Sequence, residues 1–241
     1  MPVSERATQL LGERQQGVLR NVLGAALGFG LRAAGAHRER ERLERVRGTP
    51  ILVLPSVFNP RLLRTGAFFA DIIAAQRLGN DGDVLDLGTG SGVCAVFAAR
   101  HARRVVAVDI NRAAVRCAAI NAQLNKLETR IECLQGDLFA SVPGRRFDAI
   151  FFNPPFIVGA PTNPRDCAWR ATDVAARFAD ELKAHLTPDG RAYLLLSTYG
   201  DACALFVDEL LQRGYSLAVV ATRRFVNERA TVLEVGAPGV P

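Results

Sequence analysis

Residues 84–92 read Val-Leu-Asp-Leu-Gly-Thr-Gly-Ser-Gly, and this stretch constrains the fold more than any other part of the sequence. Val84, Leu85 and Leu87 are apolar, which is typical of a strand buried on both faces in a parallel sheet. The glycines lead into helix-forming residues, so the stretch predicts a strand, a tight turn and a helix. Glycine-rich turns also occur merely to pack a helix, so this motif alone does not establish a ligand site.

Two details distinguish this turn from one that binds the pyrophosphate of a dinucleotide. Its glycines, Gly88, Gly90 and Gly92, fall at every second residue, whereas the dinucleotide fingerprint has the spacing Gly-x-Gly-x-x-Gly. An acidic side chain, Asp86, stands at the entrance to the turn, where it would repel phosphate groups. A carboxylate there suits a ligand that carries an ammonium group, as the methionine part of S-adenosylmethionine does.

Strand and helix patterns alternate from Asp83 onward, and this alternation defines the predicted fold class. The predicted strands lie near residues 51–54, 83–88, 104–109, 129–134, 147–152, 191–196, 215–223 and 229–235; the predicted helices lie near 62–78, 92–101, 112–125, 138–141, 170–186 and 201–213. The alternation predicts an α/β fold with a doubly wound, Rossmann-like, seven-stranded and mostly parallel sheet. The last two strands form a closing hairpin, which would place an antiparallel strand at the edge of that sheet.

The N-terminal residues 1–47 differ in composition from the rest and read as helical. Residues 38–47 form a dense run of Arg and Glu. Such a run is typical of a solvated helix face, but its excess of Arg over Glu keeps a nucleic-acid contact open. We therefore predict a helical extension over residues 1–48, acting as a lid or a substrate-docking element, followed by one domain over residues 49–241.

Composition limits the class of protein. A chain of 241 residues with 49% hydrophobic content can bury one good core, and its net charge of +6, almost wholly from arginine, only mildly favours an acidic partner. The five cysteines form no Cys-x-x-Cys pair and the histidines are isolated, so we predict no metal site. No apolar run reaches the ~20 residues of a membrane span and no signal-peptide pattern begins the chain, so we expect a cytoplasmic protein. The oligomeric state is left open.

The residues that end the strands of a doubly wound sheet are informative, because ligands bind beyond those carboxyl ends. The second core strand ends in Asp109, where a carboxylate can accept hydrogen bonds from both hydroxyls of a ribose. Asp109 could instead cap the helix that follows it. The third strand is followed by Asp137, which could accept a hydrogen bond from the amino group of an adenine.

The fourth core strand ends in Asn153-Pro154-Pro155-Phe156. Two prolines fix φ and lack an N–H, so the turn is stiff and keeps carbonyl oxygens free. It offers two acceptors, the Asn153 side-chain oxygen and the Pro154 carbonyl, beside the aromatic face of Phe156. A planar NH2 group matches this arrangement, because both its protons would be held while its lone pair faces an electrophile. A Pro-Pro turn by itself is usually only a loop.

Four motifs together resemble, in order and spacing, the class I S-adenosylmethionine-dependent methyltransferases. They are residues 86–92, the Val-Asp-Ile-Asn at 108–111, the Gly-Asp-Leu-Phe at 136–139, and the Asn-Pro-Pro-Phe at 153–156. Within that class the chain is similar to the HemK/PrmC-like branch, which methylates amide or exocyclic amino nitrogens. The similarity covers about residues 51–235.

This resemblance implies an S-adenosylmethionine-dependent N-methyltransferase whose acceptor is a protein glutamine, a nucleic-acid base or a small metabolite. Its catalytic residues would be Asn153, Pro154 and Phe156. The residues expected to bind the cofactor, S-adenosyl-L-methionine, are Thr65, Asp86, Gly88, Thr89, Gly90, Gly92, Asp109, Ile110, Asp137, Leu138 and Asn153. Two alternatives remain open: an NAD(P)-dependent oxidoreductase, and a catalytically idle RNA-binding module on the same fold.

Overall fold

A seven-stranded sheet lies at the centre of the structure, which is a computed structural model. It describes residue 9 and residues 40–60, 64–155, 157–159, 170–171, 173–198, 202–226 and 228–239. In chain order its strands and helices are β1 (Arg42–Val46), β2 (Thr49–Val53), α1 (Thr65–Gln76), β3 (Asp83–Leu87), α2 (Val93–Ala98), β4 (Arg104–Asp109), α3 (Arg112–Leu124), β5 (Ile131–Gln135), a 3-10 helix (Leu138–Ser141), β6 (Phe147–Phe152), β7 (Ile157–Val158), β8 (Arg170–Ala171), α4 (Val174–His185), β9 (Leu186–Ser197), α5 (Ala202–Gln212), β10 (Ser216–Arg224) and β11 (Arg229–Gly236).

The strand order of the central sheet is β10-β11-β9-β6-β3-β4-β5. Strands β3, β4, β5, β6 and β9 are parallel, whereas β11 runs antiparallel to both of its neighbours, β9 and β10. This arrangement confirms the predicted doubly wound, mostly parallel sheet with an antiparallel strand at the edge formed by the closing hairpin.

Strand β9 begins earlier than the sequence predicted. Leu186 already pairs with Phe147, and the ladder resumes where Arg191 lies opposite Ala149. The residues between the predicted helix end near 186 and the predicted strand start near 191 therefore belong to the strand, which is irregular there. The physical reason is Pro188, which lacks the N–H that a regular ladder would need at its position.

Apolar side chains cover both faces of the sheet. Phe151 of β6 packs edge-on against Phe69 of α1, with ring centroids 5.8 Å apart. The next residue, Phe152, points to the other face, where its ring lies 5.1 Å from that of Phe178 on α4 and 5.8 Å from that of Phe206 on α5. Helices α1 to α3 thus cover one face, and α4 and α5 cover the other. Among the described residues, no helix has the length and apolar character needed to cross a bilayer.

A hairpin of β1 and β2 precedes the sheet and corrects the prediction of helix up to residue 47. Strand β1 pairs antiparallel with β2, and Arg47 and Gly48 form the two-residue turn with φ of 47° and 80°. Positive φ at both turn residues suits the right-handed twist of a hairpin, so this turn favours strand over helix. Residues 1–8 and 10–39 of the predicted extension lie outside the described residues. The domain division and the lid role stay predictions.

Asn121 of α3 joins the hairpin to the glycine turn. Its side chain is fully buried, and its Oδ1 accepts a hydrogen bond of 2.7 Å from the backbone N–H of Leu52 in β2. Its Nδ2 donates to the carbonyl oxygens of Leu52, at 2.6 Å, and of Ser91, at 2.8 Å. One amide therefore satisfies backbone groups of two segments that are far apart in sequence.

Replacing Asn121 with alanine should destabilise the fold. The substitution leaves the partly buried N–H of Leu52 and the carbonyl of the buried Ser91 without this partner, and an unsatisfied buried group costs about 1–3 kcal/mol. We expect the free energy of unfolding in urea to fall by about 2 kcal/mol or more. The control is Gln123→Ala on the exposed side of the same helix, where about 0.5 kcal/mol or less is expected. Equal losses in the two variants would show that the Asn121 amide does not hold these segments together.

Candidate active site

A pocket of about 240 Å³ opens at the carboxyl ends of the central strands. Its wall comes from the turn after β3, the ends of β4 and β6, the residues after β5, the loop 56–60 and the start of α4. The predicted site residues that the structure brings together on this wall are Asp86, Gly88, Thr89, Gly90, Asp109, Ile110, Asp137, Leu138 and Asn153. No three His, Cys, Asp or Glu side chains in the described ranges are grouped to hold a metal ion.

The glycine turn packs against helix α3 so closely at Gly92 that a side chain would not fit there. Gly92 has a φ of 77°, and a Cβ there would lie 2.8 Å from the Cα of Ala118 on α3. Gly92 is not on the pocket wall, so its place in the structure is this contact with α3. Gly88 and Gly90 also have positive φ, and they face the pocket. The turn therefore presents backbone rather than side chains to a ligand.

Asp86 is a buried carboxylate at the entrance to the turn. Its Oδ2 accepts hydrogen bonds from the Thr89 hydroxyl, at 2.6 Å, and from the backbone N–H of Ala95, at 3.1 Å. Burial raises the pKa of Asp86 to about 7, against the opposing effect of these two hydrogen bonds. A positively charged ligand group beside it would favour the ionised carboxylate.

Asp109 ends β4 and supports the glycine turn. Its Oδ2 accepts a hydrogen bond of 2.9 Å from the backbone N–H of Gly90, and its Oδ1 accepts one of 2.8 Å from the N–H of Asn111. Burial raises its pKa above the usual range. The cap of α3 is Asn111, whose side chain accepts a hydrogen bond from the N–H of Ala113. The alternative role predicted for Asp109 is thus filled by its neighbour.

Ile110 and Leu138 bring apolar surface to the same end of the pocket. Ile110 lines the pocket and is 49% exposed, so it leaves an apolar surface for a flat ring. Leu138 is buried and has a φ of 48°. The left-handed conformation costs a non-glycine residue roughly 1–2 kcal/mol, so local strain lies at the pocket wall.

Asp137 is held by an arginine that sequence reasoning missed. Arg177 of α4 donates from Nη1 to Asp137 Oδ2, at 2.7 Å, and its Nε lies 3.0 Å from Oδ2 of Asp173. All three side chains line the pocket. The hydrogen bond to the Asp137 carboxylate raises the pKa of Arg177 above its usual value. No sequence signal connects Asp137 and Arg177, because they are 40 residues apart and only the packing of α4 brings them together.

Asn153 lies at the end of β6 and lines the pocket. Its Oδ1 is buried and accepts no hydrogen bond within the described part of the chain. A buried acceptor without a partner is costly and calls for an explanation. Of the two prolines, Pro155 lies on the wall, whereas Pro154 is buried and is not part of the wall. Phe156 lies outside the described residues.

The loop before α1 contributes more than the sequence predicted. Ser56 and Phe58 line the pocket, and the Ser56 carbonyl accepts a hydrogen bond of 3.1 Å from Nδ2 of Asn111. Thr65 is buried at the start of α1, and the pocket wall is formed there by its neighbour Gly66. A cofactor contact of Thr65 stays a prediction.

Comparison with known proteins places this pocket in a family. The chain matches the model of the methyltransferase small domain over residues 49–227. It is 34% identical over 142 residues to ribosomal RNA small subunit methyltransferase C of Alcanivorax borkumensis, covering 58% of this chain and 40% of that protein. It is 33% identical over 172 residues to ribosomal protein uL3 glutamine methyltransferase of Bradyrhizobium diazoefficiens, covering 60% of this chain and 52% of that protein.

A solved structure is similar to this chain over a longer part of its length. It is the 16S rRNA N2 G1207 methyltransferase of T. thermophilus in complex with AdoMet and guanosine, with 25% identity and a TM-score of 0.59. The match covers 81% of this chain and 50% of that one. The chain thus spans about half the length of the relatives it matches. Because the family model covers well over half of its residues, the chain belongs to the methyltransferase small domain family.

Proposed function

We propose that this protein is an S-adenosylmethionine-dependent N-methyltransferase whose acceptor is a planar amide or exocyclic amino nitrogen. The observation that carries the proposal is Asn153, whose buried Oδ1 lacks a hydrogen-bond partner among the described residues and whose side chain lines the pocket. An amide N–H of an acceptor would supply the missing donor. Two carboxylates in the same pocket, the buried Asp86 and the half-buried Asp109, support the cofactor part of the proposal.

The donor set of the pocket fits S-adenosylmethionine. Asp86 would hold the ammonium group of the methionine part, next to the backbone of Gly88 and Gly90. Asp109 would accept hydrogen bonds from the ribose hydroxyls, since each carboxylate oxygen has a lone pair beyond those used for Gly90 and Asn111. Asp137 would accept from the adenine amino group while it remains paired with Arg177. When bound, the cofactor supplies an electrophilic methyl group on a positively charged sulfur.

Asn153 and Pro154 would orient the acceptor nitrogen. The Asn153 Oδ1 and the Pro154 carbonyl would each accept one N–H, so the nitrogen lone pair is turned toward the methyl group. Nitrogen attack forms the C–N bond as the C–S bond breaks, and the nitrogen then loses a proton to solvent. Alignment of this kind can lower a barrier by roughly 7–11 kcal/mol. Phe156 is proposed to stack on the flat group that bears the nitrogen.

The names of the relatives favour a macromolecular acceptor. By name, the relatives reported above act on ribosomal RNA or on a glutamine of a ribosomal protein. Both acceptors carry a planar nitrogen of the kind that Asn153 would hold, so we propose a protein glutamine or a nucleic-acid base. These relatives are methyltransferases, and they give the alternative of a nicotinamide-dependent oxidoreductase no support. An idle RNA-binding module also gains no support from them. A cytoplasmic location stays a prediction.

Asn153→Ala should abolish methyl transfer while cofactor affinity stays within a few-fold of wild type. Removing one positioned group that acts in the transition state commonly costs about 100- to 1,000-fold in rate. The acceptor is first found by incubating cell extract with enzyme and a cofactor that carries a deuterated methyl group. Single-turnover methylation and calorimetric titration then separate the two effects.

Asn153→Asp is the matched control for this prediction. It keeps the shape and one acceptor oxygen but adds a negative charge, so we expect activity between those of wild type and Asn153→Ala. Near wild-type turnover in the alanine variant would mean that the Asn-Pro-Pro-Phe turn is only a loop.

Asp109→Ala should weaken binding of S-adenosylhomocysteine and S-adenosylmethionine alike. The loss of hydrogen bonds to a charged acceptor costs about 1.5–3 kcal/mol, or roughly ten- to 100-fold in affinity. Glu132→Ala provides the control, because Glu132 is an exposed carboxylate on the neighbouring strand β5. Titration calorimetry of wild type, Asp109→Ala and Glu132→Ala measures the affinities for both ligands. Equal affinities would remove Asp109 from the cofactor site.

Cofactor affinity should fall as the pH drops below about 7. The free protein binds a proton at Asp86 in that range, because burial raises its pKa to about 7, and the protonated carboxyl cannot pair with an ammonium group. One linked proton weakens binding by up to about tenfold per pH unit. Asp86→Asn should bind weakly at all pH values and lose most of this dependence. A flat profile for wild type between about pH 5.5 and pH 7.5 would contradict the ammonium contact.

A further inference from the structure

A second cleft, of about 470 Å³, lies at the amino-terminal ends of β3 and β4. This edge of the sheet is opposite the pocket that holds Asp86. Four arginines line the cleft, with a single carboxylate, that of Asp81; the arginines are Arg77, Arg100, Arg103 and Arg130. We call these four side chains the arginine cleft. Positive charge is concentrated here without a role in the proposed cofactor site.

Among the described residues, carboxylates neutralise just one of the four guanidinium groups, that of Arg103. Arg103 pairs with Asp83 through two hydrogen bonds, of 3.0 and 2.8 Å. Within the described ranges, Arg77, Arg100 and Arg130 have no carboxylate oxygen within 4.0 Å. Grouped like charges repel one another, so an anion in this cleft would be favoured.

The three unneutralised guanidinium groups are nevertheless held in place by neutral acceptors. Arg77 donates from Nε to Oδ1 of Asn80, at 3.0 Å. Arg100 donates from Nη2 to Oγ1 of Thr49, at 2.6 Å. Since a guanidinium has five N–H groups, each retains donors for a ligand after these contacts.

Arg130 is also held by a neutral acceptor, and Arg100 packs against an aromatic ring. Arg130 donates from Nη1 to the carbonyl oxygen of Ala99, at 3.2 Å. The guanidinium of Arg100 lies 4.7 Å from the ring centroid of Phe97, and burial lowers its pKa. An anionic partner would offset that cost of burial. The fixed, planar groups match the bidentate geometry in which arginine binds phosphate oxygens.

We propose that the arginine cleft binds the phosphate backbone of single-stranded RNA. Phosphates recur along a strand, so one ligand can neutralise several guanidinium groups on one surface. The acceptor base must leave its base pair before its amino nitrogen can reach Asn153, which favours a single strand over a duplex. The choice of RNA as the acceptor rests on the proposed function and selects the nucleic-acid base from its two acceptors, whereas binding at the cleft does not depend on that function.

The hairpin of β1 and β2 links the cleft to the pocket. Thr49, at the start of β2, bonds to Arg100, while Ser56, three residues after β2, lines the pocket. Arg45 near the hairpin turn is exposed and adds to the positive surface, whereas Arg47 is paired with Asp71 at 3.6 Å. Strand β3 has five residues, so the two edges are separated by about 17 Å. An extended strand could reach both edges, and a single free nucleotide could not.

The test compares two charge-reversed double variants. One is Arg77→Glu with Arg130→Glu in the cleft; the other is Arg116→Glu with Arg224→Glu, two exposed arginines outside it. Both lower the net charge by four, so nonspecific electrostatics change equally. The probe is a fluorescein-labelled single-stranded RNA oligonucleotide of mixed sequence, and fluorescence anisotropy gives Kd over a range of salt concentrations.

We expect the cleft variant to bind RNA about tenfold or more weaker than the control variant. Its slope of log K against log salt should fall by about 1.4, since each lost phosphate contact on a single strand contributes about 0.7. Equal losses in the two variants, or no RNA binding by wild type at low salt, would overturn the proposal. So would displacement of the RNA by poly-glutamate as effectively as by unlabelled RNA, because the cleft would then favour acidic protein.

Calorimetry with S-adenosylhomocysteine on all three proteins separates this proposal from the proposed function. Circular dichroism confirms that each variant is folded. Wild type that binds RNA through the cleft but not the cofactor would refute the methyltransferase proposal alone. If wild type binds the cofactor and the cleft substitutions leave its RNA affinity unchanged, only the proposal that the cleft binds RNA is refuted.

Discussion

The contact between helix α3 and the glycine turn determines the geometry of the whole site. A Cβ at Gly92 would lie 2.8 Å from the Cα of Ala118, so nothing larger than hydrogen separates the turn from the helix. On the same helix, Asn121 bonds to the carbonyl of Ser91 and to β2. At the start of the helix, Asn111 donates to the loop before α1 and bonds to Asp109. One helix therefore positions the turn, the hairpin and the end of β4 relative to one another.

The pocket concentrates features that destabilise the free protein. Asp86 is buried and Asp109 is half-buried, and the pKa values of both carboxyl groups are raised. Leu138 has a left-handed backbone, and the Oδ1 of Asn153 lacks a partner among the described residues. Each of these features is unfavourable without a ligand, and a ligand with an ammonium group, hydroxyls and a planar NH2 group would compensate for three of them. Several locally unfavourable features at the same edge of a sheet are typical of a functional site.

Residues that follow a strand in sequence could be predicted as neighbours, since parallel strands end at one edge. Asp86, Asp109 and Asn153 line one pocket for that reason. The pairing of Asp137 with Arg177 could not be predicted, because it depends on how α4 packs on the sheet. The helix predicted through residue 47 was wrong for β1, since the charge run fits helix and strand equally. The deciding signal was the two-residue turn at 47–48, where φ is positive at both positions.

The most direct test of the account is a crystal structure of the protein with S-adenosylhomocysteine. In that structure we expect the homocysteine ammonium beside Asp86, the ribose hydroxyls on Asp109 and the adenine near Asp137. We further expect that the sulfur faces the Asn153 side chain across a space large enough for a methyl group and an acceptor nitrogen. A ligand bound outside this pocket, or one whose sulfur points away from Asn153, would contradict the central claim that Asn153 orients the acceptor.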